Sequence, residues 1–437
     1  MKKNYIKEIS NWGLFPTVEK EIRSEDLEEK IKKYVISSQE IIARGNGRCY
    51  GDASLAEKIF STKRLNKFLQ FDRINGILEC ESGVLLSEIL ELCVPQGFFL
   101  YVTPGTKYIS VGGAIASNIH GKNHHKEGCF GDYVYSFRLM TERGEILNCS
   151  EQENSDLFWA TIGGMGLTGI ILSATFQLKK IKTAYIKQEC IKAENLQEIF
   201  QLFEESESWT YTVAWLDCLQ KGNKIGKSIL MRGEHASVSE LPIKYKAQPL
   251  KIKKSFQPTI PFYFPEFVLN KWSVKIFNAL YYNKQRKKVL KNFVHYEPFF
   301  YPLDIINDWN KIYGKKGFIQ YQMVIPKKQG YEGMKRILET IAKSGQGSFL
   351  TVLKLFGEEN PQAYNSFPMA GYTLALDFKI NKKLPKLVAQ LDDIVEEFGG
   401  RIYLAKDSMS KPSLTNYLKN VESPKFVSLQ QKRIKNL

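Results

Sequence analysis

Directly after the apolar run Ile41-Ile42-Ala43 comes Arg44-Gly45-Asn46-Gly47-Arg48-Cys49-Tyr50-Gly51-Asp52, with three glycines in seven residues. This segment restricts the fold more than any other. Glycines that dense let successive backbone N–H groups turn toward one point without Cβ interference. Such a concavity of amides suits a pyrophosphate. The spacing is neither that of a P-loop nor that of the strand–turn–helix dinucleotide fingerprint. A plain tight turn is the second reading.

Two further glycine-rich segments narrow the choice. In Pro104–His125 the small residues from Gly112 to Ser117 permit a close backbone pass against a flat ligand, and His120, His124 and His125 follow. The H-x-x-x-H-H pattern brings no ligating carboxylate at helical spacing, so a metal site is not expected. His120 reads as a polar group facing a cofactor, and His124 and His125 as structural. In Gly163-Gly164-Met165-Gly166-Leu167-Thr168-Gly169, three glycines match G-x-G-x-x-G. The fingerprint needs a strand before it and a helix after it. Here Ser155–Ala160 reads as a helix and Ile170–Leu178 as a strand. A nicotinamide site is rejected, and a glycine loop against another flat cofactor remains.

The wider pattern predicts two layered parts. Helix-like Glu25–Lys33 and Leu86–Cys93 alternate with strand-like Ile41–Ala43 and Gly76–Val84. From about Lys179 glycine thins out. Strand-like Tyr211–Leu216, Ile319–Ile325 and Tyr372–Phe378 are then spaced by helical Leu196–Glu205, Tyr331–Lys343 and Leu384–Phe398. That predicts an antiparallel sheet covered by helices. At 437 residues, 43% hydrophobic and 25% charged, the chain can bury a large core and is not disordered, collagenous or coiled-coil. Seven dispersed cysteines without a C-x-x-C pair read as free thiols in a reducing compartment. The basic N-terminus has no apolar segment behind it, and no stretch reaches 18 apolar residues, so neither a signal peptide nor a spanning helix is expected.

The net charge of +16 points to a polyanionic partner. Residues 241–300 hold twelve Lys+Arg against two Glu, a net +10, with fourteen aromatics and six prolines. The first half is too proline-broken for regular structure. A mobile basic-aromatic insertion lying on an anionic membrane fits both properties. An ordinary basic face with buried aromatics fits too, and stacking on nucleic acid is a third reading.

Taken together, these segments resemble the flavin-dependent oxidoreductases of the vanillyl-alcohol-oxidase type, also known by their PCMH-type FAD domain, and within them the enzymes that oxidise polyprenylphosphoryl pentoses. The resemblance covers most of the chain and is densest at 43–52, 101–131, 156–172, 317–325, 348–378 and 400–408. It implies an α+β fold of two domains. One is an FAD domain split in sequence (1–183 and 400–437), and the other a substrate domain (184–399) built on an antiparallel sheet covered by helices. It implies that FAD contacts Arg44, Gly45, Asn46, Gly47, Arg48, Cys49 and Tyr50. The same cofactor would meet Gly105, Thr106, Gly112, Gly113, Ala116, Ser117, Asn118, His120 and Gly121, then Gly166, Thr168, Gly169 and Ile170, and finally Tyr403 and Lys406. The substrate pocket it implies holds Tyr50, His120, Lys122, Gln320, Gln322, Lys354, Thr373, Ala375 and Lys406. Lys406, in Tyr403-Leu404-Ala405-Lys406-Asp407-Ser408, matches the family's essential lysine, and His120 is the competing proton acceptor. Read alone, Lys406 beside Asp407 would be a surface ion pair.

Two departures matter. Covalent relatives bond a histidine to the flavin where this chain has Arg48, so non-covalent FAD is expected. Thr373 and Ala375 stand where mycobacterial-type enzymes have Asn and the Cys trapped by covalent inhibitors. The implied reaction is oxidation of a secondary sugar hydroxyl, the 2′-OH of a polyprenylphosphoryl pentose, to the ketone. This is the first half of an epimerisation in cell-wall precursor synthesis that a short-chain dehydrogenase/reductase partner completes. The chain is then expected at the inner membrane face as a peripheral cytoplasmic protein, with no nucleic-acid partner. A soluble alditol or aldonolactone oxidase, and a non-enzymatic basic membrane- or nucleic-acid-binding protein, are the alternatives.

Overall fold

The computed structural model describes residues 5–253 and 256–436, so Lys254 and Ser255 of the basic-aromatic stretch lie outside the described residues. Three sheets carry the fold. The first orders Ile6–Ser10, Thr17–Arg23, Lys58–Ser61 and Ile41–Arg44, with Lys58–Ser61 parallel to both neighbours. The second is antiparallel, in the order Phe68–Asp72, Ile77–Glu81, Ile170–Lys180, Val134–Met140 and Ile146–Ser150, with the short Phe98–Leu100 beside Ile170–Lys180. The expected Ser155–Ala160 helix runs Ser155–Thr161, and Ile170–Lys180 is the strand expected after the glycine loop.

The third sheet has eight antiparallel strands. Their order is Val289–His295, Tyr185–Ala193, Ser228–His235, Tyr211–Leu216, Thr351–Phe356, Gly371–Lys379, Phe318–Pro326 and Arg401–Ile402. Helices Leu196–Glu204, Gly330–Ser344 and Leu384–Glu397 bury their apolar stripes on one face. Successive strand side chains point to opposite faces. Hence Ile319, Tyr321, Met323, Leu353, Leu355, Leu374 and Leu376 join this core, and the alternate residues face away from the helices.

Beyond Ile402 the chain turns at Tyr403–Lys406 and returns to the first sheet. There Ile41 bridges Phe426, and the Leu429 N–H donates to the Leu55 carbonyl at 2.7 Å. Arg433 clamps this tail by donating to Asp52 (3.0 Å, two bonds) and Asp407 (2.7 Å).

The 241–300 stretch is more ordered than its prolines suggest. A single helical turn, Ile243–Lys246, lies among the early prolines. After Pro265, where proline no longer interrupts, helix Lys271–Lys284 forms and buries Val274, Asn278 and Tyr282. Val289–His295 then closes one edge of the large sheet.

Candidate active site

A cleft of about 520 Å³ opens between the bare face of the eight-stranded sheet and the loops of the other two sheets. Register builds its floor. Gln320 pairs with Asp377, Gln322 with Ala375, Ala375 with Val352, and Thr373 with Lys354. Because side chains alternate at period 2, these residues share the face opposite the helical core.

The facing wall comes from the glycine loops. Gly47 has φ +63°, a left-handed conformation that glycine adopts without strain. At Gly51 a Cβ would meet the Asp407 carbonyl oxygen at 1.9 Å, so only glycine lets the returning tail come this close. Among the described residues no protein acceptor takes the N–H of Asn46, Gly47, Arg48 or Cys49. Four consecutive free amides on one cleft wall fit a pyrophosphate. Gly112, Gly113 and Ala116 line the same cleft without bulky side chains, which fits a flat ring system. The Arg48 guanidinium sits 3.9 Å from the Trp12 ring centroid and 5.2 Å from that of Tyr108, a cationic stack at the loop.

The cleft is unusually cationic. Lys122, Lys354 and Lys406 all line it. Burial lowers each amine, to about 8, about 7 and about 8 respectively. Mutual repulsion lowers Lys354 further, through Lys122 and Lys406. Lys406 lies 3.9 Å from the Tyr50 ring centroid. Its amine is raised somewhat by the Asp377 carboxylate, which partly offsets burial. Asp377 is buried and pushed up to about 7 by desolvation, while its carboxylate accepts from Gln320 (2.7 Å) and Tyr313 (3.1 Å). Burial, followed by the charges of Lys354, His124 and Lys406, drives the His120 imidazole well below its ordinary range and keeps it neutral.

The sequence-derived residues largely converge. Gly45, Asn46, Gly47, Arg48, Cys49 and Tyr50 line the cleft, as do Gly105, Thr106, Gly112, Gly113, Ala116, Ser117, His120, Gly121 and Lys122. Gly166, Gly169, Gln320, Gln322, Lys354, Ala375, Tyr403 and Lys406 complete the set. Five others stand behind the wall. Arg44 donates to the Ser10 carbonyl at 2.9 Å, and Asn118 accepts from the Gly131 N–H at 2.8 Å. The Thr168 hydroxyl meets that of Thr161 at 2.9 Å, and Ile170 packs in an apolar cluster with Ile31 and Phe60. Thr373 is fully buried and donates to the Met323 carbonyl at 2.8 Å.

Sequence reasoning missed Trp12, Thr62, Ser82, Asp304 and Trp309, which reach the cleft from distant segments with no local motif, and Ser110, which lies inside the Pro104–His125 segment but was not singled out. Phe277, Tyr281, Phe299 and Phe300 also line it. For these a signal existed: they belong to the aromatic stretch read only as a surface.

A family model described as an FAD binding domain matches residues 23–150. Over nearly its whole length the chain is similar to decaprenylphosphoryl-beta-D-ribose oxidase of Mycolicibacterium smegmatis. The two are 38% identical over 412 residues, covering 92% of this chain and 89% of that protein. A D-lactate dehydrogenase of Anaerostipes hadrus is 32% identical over 145 residues, 32% of this chain and 30% of that one. L-gulonolactone oxidase of Mus musculus is 32% identical over 114 residues, 26% of either chain.

Proposed function

Because the chain belongs to the decaprenylphosphoryl-beta-D-ribose oxidase family and carries its FAD binding domain, it is an FAD-dependent oxidoreductase, and we propose that it oxidises the 2′-hydroxyl of a polyprenylphosphoryl pentose such as decaprenylphosphoryl-β-D-ribose to the 2′-ketone. When bound, FAD supplies the two-electron acceptor for the hydride leaving the sugar carbon. The free amides of Asn46–Cys49 would hold its pyrophosphate, with Gly112, Gly113, Gly166 and Gly169 against its flat parts. Residues 1–183 with 400–437 form the cofactor-holding domain in this reading, and 184–399 the substrate domain. Arg48, stacked on Trp12, offers no nucleophile for a covalent link, so the flavin is held non-covalently.

The observation that carries the reading is the register-built row Gln320, Gln322 and Lys354, which shares one cleft with Lys406, His120 and the amide nest. Gln320, Gln322 and Lys354 orient the sugar and offset its phosphate charge. Lys406, an amine brought near neutrality by burial, takes the hydroxyl proton. The test is anaerobic bleaching of the flavin. Decaprenylphosphoryl ribose should bleach it at micromolar concentration, whereas L-gulono-1,4-lactone should not. The opposite pattern would replace this reading with a lactone oxidase.

The product ketone calls for a short-chain dehydrogenase/reductase that returns it as the epimeric alcohol. A lipid substrate also calls for a surface, and helix Lys271–Lys284 supports one. Trp272, Ile276 and Leu280 are 70%, 61% and 68% exposed at i, i+4 and i+8, beside Lys271 and Lys275. The same helix gives Phe277 and Tyr281 to the cleft. A peripheral dock on an anionic membrane, with the lipid tail passing along this helix, uses all of these faces. No helix among the described residues is long and apolar enough to cross a membrane.

A further inference from the structure

His120 and Lys406 both stand where a substrate proton could go, and a short hydrogen-bond chain separates their roles. Its fixed end is the Met323 carbonyl, which can only accept. Thr373 donates to it at 2.8 Å, which commits the one hydrogen of that hydroxyl. The Thr373 oxygen can then only accept, and Gln322 Nε2 lies 3.3 Å from it. The opposite amide orientation would set the Gln322 carbonyl oxygen against the lone pairs of Thr373. The nitrogen must therefore face Thr373, and its second hydrogen points to His120 Nε2 at 3.0 Å. That nitrogen is thereby an acceptor, and the proton of the neutral ring resides on Nδ1.

We infer that Thr373 is a positioning residue which, acting through Gln322, locks His120 as the neutral Nδ1–H tautomer and thereby excludes it as the acceptor of the substrate proton. In that state His120 offers no free lone pair, since Nε2 is occupied and Nδ1 carries hydrogen. The setting opposes a second proton as well. His120 is 5% exposed, and its ring packs against Phe356, Phe367 and Tyr403. The titratable groups acting on it, Lys354, His124 and Lys406, are all cationic or neutral bases. Nδ1 is buried without a partner among the described residues, so no neighbour there competes with the assignment that Gln322 imposes at Nε2. Proton acceptance then falls to Lys406. The inference rests on the proposed reaction only for that last step.

The test is two-bond ¹⁵N–¹H correlation on the holoenzyme labelled at histidine. With five histidines in the chain, the His120 signal is assigned by its loss in His120→Gln. The expected result is an Nδ1–H pattern that persists from about pH 6 to pH 9, a window that spans the ordinary histidine pKa of about 6.5. Thr373→Val keeps the shape but removes the acceptor, which frees the Gln322 amide to rotate. It should give an Nε2–H or mixed pattern, and the maximal rate of flavin reduction should fall on the order of tenfold at little change in KM. Thr373→Ser should restore both. An Nε2–H pattern in the unaltered enzyme, or an unchanged pattern in Thr373→Val with flavin still bound, would overturn the inference. The spectrum requires no sugar, so a failure of the proposed substrate and a failure of the tautomer lock are read separately.

Discussion

The charge state of Lys406 can be moved without touching the lysine. Burial brings its amine down to about 8 from an ordinary 10.5, and the Asp377 carboxylate is the first charge that opposes the fall. At pH 7 roughly one amine in ten is then neutral, against about one in three thousand for an exposed lysine, a gain on the order of 300-fold in available base. If the neutral amine takes the hydroxyl proton, the rate of flavin bleaching rises with pH between about 7, above which Asp377 is mostly ionised, and about 8, and levels above it. Asp377→Asn removes the opposing charge, keeps one carbonyl acceptor for Gln320 and sets an NH2 donor against the Tyr313 hydroxyl, whose oxygen can accept it. Losing a nearby opposite charge shifts a buried group by on the order of one unit, about 1.4 kcal/mol. The sign is downward, because a cation without its anion gives up its proton more easily. The plateau should therefore begin about one pH unit lower in Asp377→Asn. In Lys406→Met the pH-dependent limb should vanish with a loss of about 10²–10⁴ in rate. The assay is stopped-flow flavin absorbance without oxygen, from about pH 6 to pH 9.5, a range chosen to bracket both the shifted and the ordinary lysine values. A limb that stays in place in Asp377→Asn, or that survives in Lys406→Met, refutes the reasoning.

Other outcomes follow from the same geometry. Arg433→Met leaves the Asp52 and Asp407 carboxylates without their cation at buried positions, which should cost about 3–5 kcal/mol. It should lower the urea midpoint and weaken FAD retention, because Asp407 follows Lys406 directly. Vesicles rich in anionic lipid should sediment the protein at low salt and release it at high salt, and neutral vesicles should not. The double change Trp272→Glu and Leu280→Glu should abolish sedimentation while leaving bleaching by a short-chain substrate intact. Acid precipitation should move the visible flavin bands into the supernatant, and a pellet that stays yellow would show a covalent link.

What was legible in the sequence depended on whether the signal was local. Glycine density marked the amide nest because a left-handed Gly47 and a close pass at Gly51 leave composition behind. The helix before and the strand after Gly163–Gly169 were readable from periodicity, and that order alone excluded the nicotinamide reading. Gln320 and Gln322 could be placed on one face because they stand two positions apart in a strand-like run. Asp377 could not, since an acid in a β-type run resembles any solvent-facing charge. Its meaning comes from pairing with Gln320 across strands 57 positions apart. The resemblance puts Thr373 in the substrate pocket, whereas its hydroxyl is committed to a backbone carbonyl behind the pocket wall.

Lys406 shows the limit most clearly. Beside Asp407 in sequence, it invites reading as a surface ion pair. Yet Asp407 is held by Arg433, from the far end of the tail. Lys406 lies instead over the Tyr50 ring, and no carboxylate among the described residues lies within salt-bridge distance of its amine. Adjacent residues in a tight turn need not share surroundings, and the tail that separates them arrives from a segment no local window contains. The setting of this amine is therefore a product of topology. Residues 403–406 leave the edge of the large sheet, Arg433 draws Asp407 toward the first sheet, and the lysine is left in the cleft without its sequence neighbour's charge, where the proposed oxidation calls for a base.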